Sequence, residues 1–531
     1  MAAQKGVVIL VKKRIFHLVF LLTLLLPSPI LARDYIDIWP EGWSEVAPLF
    51  TTSIFTDRFF VTHDAQGTSF LSADGTYFKE TNLTYRRVYA GAILEEVVLR
   101  SQVELDSIFL GLGEGGRRHV LWLEHGPQGS SIQHTSFGVP YAPEGVLTVL
   151  SAPSTIQDLA ADQAGETTHL AWSQRDRFFQ IRYTRIQDGE IAAVETVTDT
   201  EELSVRPSLV VDSRGTVHLA WMETGPAGVE IRYSRRTEEG WTTPRRVGEG
   251  SVQDIQQGGL IALAAFGEEV HLAWAALPRG SSRLHIYHAS ISAEGEVSPP
   301  QVLAPGSKPR FVQGTDRPEL VWQSPGAYGV EIHYLPPGEE PINLTVGRRG
   351  AFRPEAFADG QYRYVFWLHA SPEGGYEVVG INNQFPKALS LWRQMGIDEE
   401  APWYHVGFLF LSTLMLSMVY TAANLGVILL AAGLYSLLQK VERYRRQPIW
   451  YQVALSAALL VVLRRLPFIP ATHPQFFGPL HHLLCVATAT LGTWLLLHRV
   501  RQRGFLFTMA ALVIWMVLFQ FAALIPQNIL L

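Results

Sequence analysis

The chain has 531 residues, 47% hydrophobic and 17% charged, with one cysteine and a formal net charge of −6. That charge is unevenly spread: residues 33–400 hold 30 basic and 48 acidic side chains, whereas 401–531 hold nine Lys/Arg against a single acid, Glu442. So acidic a stretch repels phosphate backbones, which excludes nucleic-acid binding, and one cysteine excludes an intramolecular disulfide and CxxC redox or zinc chemistry.

Residues 1–32 read as an export signal, either a cleaved peptide or an uncleaved anchor. Lys12, Lys13 and Arg14 flank the apolar run Ile15–Leu26, and Pro27, Ser28 and Pro29 break the helix before Ala32. Ile30, three residues before that cleavage point, fits the small-residue rule only fairly, so both outcomes stay open. Either one exports the chain beyond residue 32. Residues 33–56 are expected to lead into the repeats.

The middle of the chain, about 57–390, is self-similar. Asp162–Trp172, Asp212–Trp221 and Phe266–Trp274 end alike in His-Leu-Ala-Trp, and weaker copies end at Trp122, Trp322 and Trp367. A second strand comes roughly twelve residues after each Trp, as in Ile181-Arg-Tyr183 and Ile231-Arg-Tyr233. Alternation places Leu219 and Trp221 on one face of their strand, and the Asp-x-x-Gly turn suits a tight hairpin. Four short strands per period, recurring every 45–53 residues, predict an all-β propeller. Each blade can bury its indole only against a neighbour, so the copies must form an array. A further blade is expected upstream, where Asp64-Ala-Gln-Gly67 matches Asp212-Ser-Arg-Gly215 and the Trp position becomes Ala73. Seven blades are the preferred count; six with an irregular lead-in is the alternative.

The repeat Asp-x-x-Gly-x-x-His-Leu-Ala-Trp, succeeded by Glu-Ile-Arg-Tyr-Ser-Arg-Arg and Gly-Trp-Thr-Thr-Pro, resembles the sialidase-like (BNR-type) propeller superfamily over most of residues 60–380. The resemblance implies blade architecture rather than activity. Sialidases carry Asp-boxes at blade turns, and only Ser72-Ala-Asp74-Gly75-Thr-Tyr-Phe78 approaches one, with its Gly one place early. The resemblance also implies an arginine triad, a Tyr–Glu nucleophile pair and an Asp acid/base, and the sequence assigns none of these positions. Tyr183, Tyr233 and Tyr334 recur at one repeat position, which marks blade packing.

Candidate ligand residues lie on the loops after the Trp strands: Glu124, Arg175, Asp176, Arg177, Glu223 and Arg279. Converging arginines suit the carboxylate of an acidic sugar. His119, His169, His218 and His271 invite a metal reading. However, repeat-equivalent residues are rotated around a ring and do not converge, so neither metal nor cofactor is expected.

Residues 391–403 form a juxtamembrane segment, and 404–531 are expected to be an α-helical transmembrane domain of about four spans. These are Tyr404–Gln439, Ile449–Leu463, Phe476–His498 and Phe505–Ile525. Lys440–Arg446 and Arg499–Arg503 are basic loops assigned to the cytoplasmic side, which leaves the propeller outside. Arg464 and Arg465 would then have to snorkel. His481, His482 and Gln520 are the polar groups to examine within the spans. The expectation is a multi-pass cell-membrane protein whose extracytoplasmic propeller binds a glycan or an envelope protein, as a scaffold or sensor. A diverged glycoside hydrolase of the sialidase type and the sensor of a transport or signalling protein are the alternatives.

Overall fold

In a computed structural model, the described residues are 39–52, 59–76, 80–89, 91–143, 145–226, 228–256, 261–278, 280–326, 329–345, 350–370, 375–388, 402–423, 425–438, 440, 479–497 and 505–529. The expected signal at 1–32 and the expected span Ile449–Leu463 lie outside them. Asp37–Ala388 makes one compact unit, and the helices beyond Leu389 belong to another.

The first unit is a seven-bladed propeller. Each blade is an antiparallel meander, as two-residue and slightly longer hairpins between period-2 strands require. Blades 3, 4, 5 and 6 begin with the inner strands Ile156–Ala164, Leu203–Val211, Ala262–Phe266 and Ser307–Phe311. Blades 1 and 2 share one long strand, Ala92–Leu112. Its first part pairs with Glu80–Tyr89 as the rim of blade 1, and its second part pairs with Arg118–Gly126 as the inner strand of blade 2. Blade 7 is built from Ala351–Asp359, Tyr362–Ala370 and Tyr376–Asn382, and its outermost strand is Ala47–Thr52. The expected lead-in therefore contributes a strand, and the ring closes by hydrogen bonds between the two ends of the unit.

Five repeat indoles, Trp122, Trp172, Trp221, Trp274 and Trp322, have rotationally matched surroundings, each buried against the preceding blade. Trp122 packs on Leu71, Leu83 and Tyr85; Trp172 on Leu123, Ile132 and Val149; Trp221 on Ala171, Ile181 and Tyr183. Trp274 and Trp322 repeat the arrangement against blades 4 and 5. The fit is close: a Cβ added to Gly248 would come within 2.5 Å of the Trp274 ring.

One register differs from expectation. In blades 2, 3 and 4 the Trp stands one residue before the partner of Ile132, Ile181 or Ile231. In blade 1 Ala73 faces Leu83 itself, so Ser72, opposite Thr84, holds the Trp position. The cause is the turn. Gly67 already pairs with Asp64, whereas Gly215 sits inside the longer Asp212–Thr216 turn, whose Asp212 carboxylate accepts the amides of Arg214 and Thr216. The missing indole is replaced by an ion network. Arg86 donates to Ser72, Asp74 and Glu96 and lies 4.5 Å over the Phe50 ring of blade 7's outer strand.

Three residues before the Trp position, six blades carry a cross-strand polar rung. The pairs are Ser69–Tyr85, His119–His134, His169–Tyr183, His218–Tyr233, His271–His288 and Glu319–Tyr334, at 2.7–3.3 Å. The repeated histidines thus find partners in their own blades, His119 also meeting Thr168 of the next blade at 3.4 Å, and no metal-ligating cluster occurs among the described residues. Burial pulls His169 and His288 from 6.5 down to about 4, helped by Arg185 and Arg236 near His169 and by His271 near His288.

That predicts acid lability. Above pH 6.5 both states are neutral and nothing is lost. As pH falls from 6.5 towards 4, the unfolded chain takes up protons that the folded one refuses, at up to about 3 kcal/mol per histidine. Asp162, half-buried and raised to about 6 by desolvation, opposes this over part of the range. The expected result is a lower denaturation midpoint at pH 4.5 than at 7.5, monitored by Trp fluorescence. The gap should narrow in the His169→Gln/His288→Gln double variant, and an equal gap in both proteins would refute the assignment.

The second unit contains helices Pro402–Ala423, Leu425–Leu438, Pro479–Leu497 and Phe505–Ile529. Cys485, Ala489, Leu512, Trp515, Met516 and Phe519 form its core, and the Trp515 Nε1–H donates to Thr490 Oγ1 at 3.0 Å. The expected 36-residue first span is helical on both sides of Asn424, which itself lies outside the described residues. Among the described residues no helix is long and apolar enough to cross a membrane. Each expected span runs partly through residues or side chains outside that set, so the four-span arrangement rests on the sequence.

Candidate functional site

The inner strands of blades 3, 4, 6 and 7 share an irregularity. Their pairing shifts between Gln157 and Ala160, Val205 and Ser208, Ser307 and Arg310, and Phe352 and Glu355. Each bulge holds one non-glycine residue in the left-handed region: Asp158 (φ 57), Arg206 (φ 57), Lys308 (φ 54) and Arg353 (φ 55). Arg206, Lys308 and Arg353 each precede a proline, a residue that suits a bulge because it has no amide to leave unpaired. Such a conformation costs about 1–3 kcal/mol per residue and persists where surrounding structure imposes it, commonly at ligand sites. Here it recurs at one repeat position and delivers charge to one mouth of the central channel.

The charges there are buried and coupled between blades. The Arg206 guanidinium meets the Asp158 carboxylate at 2.8 Å, and the Arg206 amide donates to it at 3.2 Å. Arg310 donates to Glu355 at 2.8 Å, and the Arg353 amide donates to Gln323 Oε1 at 3.1 Å. Lys308 and Arg353 are 8% and 7% exposed. Asp254, on the short helix Val252–Gln256 between blades 4 and 5, is 0% exposed, and no described residue donates a hydrogen bond to either carboxylate oxygen. Desolvation raises its carboxyl to about 7, against the opposing charges of Lys308 and Arg206. Beyond the mouth, the inner strands line a channel of about 410 Å3 whose polar lining includes Thr62, Gln163, Arg310, Gln313 and Glu355.

Of the residues expected from the loops, Glu124, Arg175, Asp176, Arg177 and Glu223 lie on the same end of the blades, but most hold local contacts. Glu124 accepts the Trp122 indole N–H at 3.0 Å and pairs with Arg100. Glu223 accepts the Trp221 indole at 3.5 Å and pairs with Arg232 at 2.9 Å. Asp176 pairs with Arg182 across its own hairpin, Arg177 lies over Phe178 at 5.3 Å, and Arg175 is exposed. Arg279 lies outside the described residues. Sequence reasoning missed Asp158, Arg206, Asp254, Lys308 and Arg353. A signal for three of them existed: Arg/Lys-Pro recurs 14–15 residues before Trp221, Trp322 and Trp367.

Chemically, a mouth with three cations, one of them paired with Asp158, beside a carboxyl raised to about 7 can bind an anion and hold or release one proton. The repeated tyrosines are unsuited to nucleophilic work. Burial pushes the Tyr183 hydroxyl up to about 12 and moves Tyr233 and Tyr334 upward as well.

No protein-family model and no characterised protein matches the sequence. Solved structures align with part of the chain. Polysaccharide lyase Uly1 is 9% identical with a TM-score of 0.42, over 61% of this chain and 88% of the lyase. A Dyadobacter fermentans protein of unknown function is 11% identical with a TM-score of 0.40, over 52% of this chain and 94% of its own. Trypanosoma rangeli sialidase, solved with the inhibitor DANA, is 10% identical with a TM-score of 0.36 over 56% of each chain. Likenesses of this degree carry no argument about this chain.

Proposed function

We propose that this chain is a membrane-anchored binding protein whose propeller, held outside the cell, takes the anionic group of an acidic glycan at the channel mouth. The observation that carries the reading is the set of charged left-handed residues at one repeat position, with Arg206, Lys308 and Arg353 supplying guanidinium and ammonium donors for a carboxylate. The test is binding of sialylated and uronate-bearing oligosaccharides by the full chain in detergent. Saturable binding of the acidic class that weakens with salt and with Arg353→Gln supports the reading; binding indifferent to both overturns it.

The anchor is supported by the basic loops and by the side chains of the helices. Leu416, Val419, Leu429, Leu437, Leu491 and Leu495 are exposed. The hydroxyls of Ser417, Thr421, Thr490 and Thr493 donate to carbonyls four residues back in their own helices, which satisfies them without water. Alkaline carbonate washing is expected to leave the chain in the membrane pellet; release into the supernatant would refute anchoring.

An enzymatic role on the same ligand has one observation in its favour, the Asp254 carboxyl raised to about 7, suited to general acid catalysis. Turnover of a fluorogenic sialoside that disappears in Asp254→Asn would establish it, and binding without turnover would dismiss it.

A further inference from the structure

At the hairpin-turn end opposite the channel mouth, three blade seams are sealed by bulky side chains reaching from one blade to its neighbour. Between blades 1 and 2, Phe137 packs on Tyr85 at 4.9 Å and Tyr141 packs behind it at 4.8 Å. Between blades 3 and 4, Trp241 packs on Tyr183 at 5.2 Å, with its indole N–H on Glu195. Between blades 4 and 5, Arg235 and Arg245 donate to carbonyls of the Ala293–Gly295 turn.

The seam between blades 2 and 3 is different. The position that pairs as Trp241 does is Ile191, which is 36% exposed. A cleft of about 520 Å3 remains there, within the size range of small-molecule sites. Its floor is polar: the stacked imidazoles of His119 and His134, 5.5 Å between centroids, and the hydroxyl of Thr168, 1% exposed. Arg117, Glu166 and Asp188 stand around it, and Val146 and Leu147 form an apolar wall.

We propose that this cleft is a binding site for an uncharged saccharide unit. Imidazoles both donate and accept, as vicinal sugar hydroxyls demand, and the Thr168 hydroxyl, which donates to Gln163 Oε1 at 2.6 Å, adds an acceptor. One cation against two carboxylates around the cleft disfavours an anionic ligand, and the aliphatic wall suits the C–H face of a pyranose. The site lies apart from the channel mouth and does not depend on the acidic-glycan reading.

The experiment uses the full chain in a detergent without a sugar headgroup, titrated with maltotriose, cellotriose and chitotriose by calorimetry. At least one is expected to bind with Kd of about 1 mM or tighter. Ile191→Trp, which places in blade 3 the side chain that seals the next seam, should weaken that binding by about tenfold or more. Asp188→Ala, at an exposed turn, should also weaken it, whereas Arg353→Gln should leave it unchanged. Thermal midpoints near that of the parent show that the variants fold. The proposal is overturned if none of the three sugars binds, if Ile191→Trp and Asp188→Ala both bind like the parent, or if Arg353→Gln abolishes the signal. The acidic-oligosaccharide titration reads the other site, so either reading can fail alone.

Discussion

Trp221→Ala is expected to destabilise the propeller by about 3–5 kcal/mol, measured by chemical denaturation with Trp fluorescence. The indole is 0% exposed and wedged between Leu219 of its own blade and Ala171, Ile181 and Tyr183 of the blade before. Truncation therefore empties a seam rather than a local pocket. It also strips the Glu223 carboxylate of its indole donor. An equivalent loss is expected for Trp172→Ala and Trp274→Ala, because their surroundings match by rotation. A cost below about 1 kcal/mol at all three would contradict seam-by-seam burial. The Ser72 position supplies the contrast. There the wedge is Arg86, so Arg86→Leu should be costly mainly through the stranded Asp74 carboxylate, 17% exposed.

The second large effect is expected in binding. Arg353→Gln or Lys308→Gln should weaken an acidic oligosaccharide by about 10–100-fold, the value of one charge-assisted hydrogen bond of about 1.5–3 kcal/mol. Arg177→Gln, whose guanidinium lies over Phe178, should change affinity by less than about threefold. The measurement is a titration at fixed low salt, repeated at high salt to separate contact from long-range attraction. Identical affinities for Arg353→Gln, Lys308→Gln and the parent would remove the channel mouth as the ligand site.

The blades were legible because their determinants are local. An indole, an Asp-x-x-Gly turn and strand alternation recur within twenty residues, so each blade shows separately in the sequence. Blade 1 tested that rule. Its turn motif matched, but the hairpin closes one pair earlier, and counting from Gly67 lands on Ala73 instead of Ser72.

The channel mouth was less legible because geometry is repeated there while residue identity is not. Asp158, Arg206, Lys308 and Arg353 share a backbone conformation, and their chemical types vary. No glycine marks the left-handed turn, and only the adjoining prolines hint at a bulge. Asp254 lies off the repeat altogether, in a connecting helix. Glu124 and Glu223 stood out as loop acids, and the sequence could not show that an indole N–H two residues away already holds each one.

Ala47–Thr52 completes the last blade, and Ser44 bonds Asn382 across 338 residues. Such a closure carries a chain-entropy cost of about 5 kcal/mol and returns nothing until the final meander exists. During synthesis the first strand must therefore wait, unpaired, for nearly the whole unit to emerge. Until then the nascent arc presents two raw sheet edges to chaperones and proteases. Quality control of this protein hinges on a single late event at one latch, and a clip just downstream of Thr52 would sever the latch from the polypeptide while leaving every other hairpin continuous.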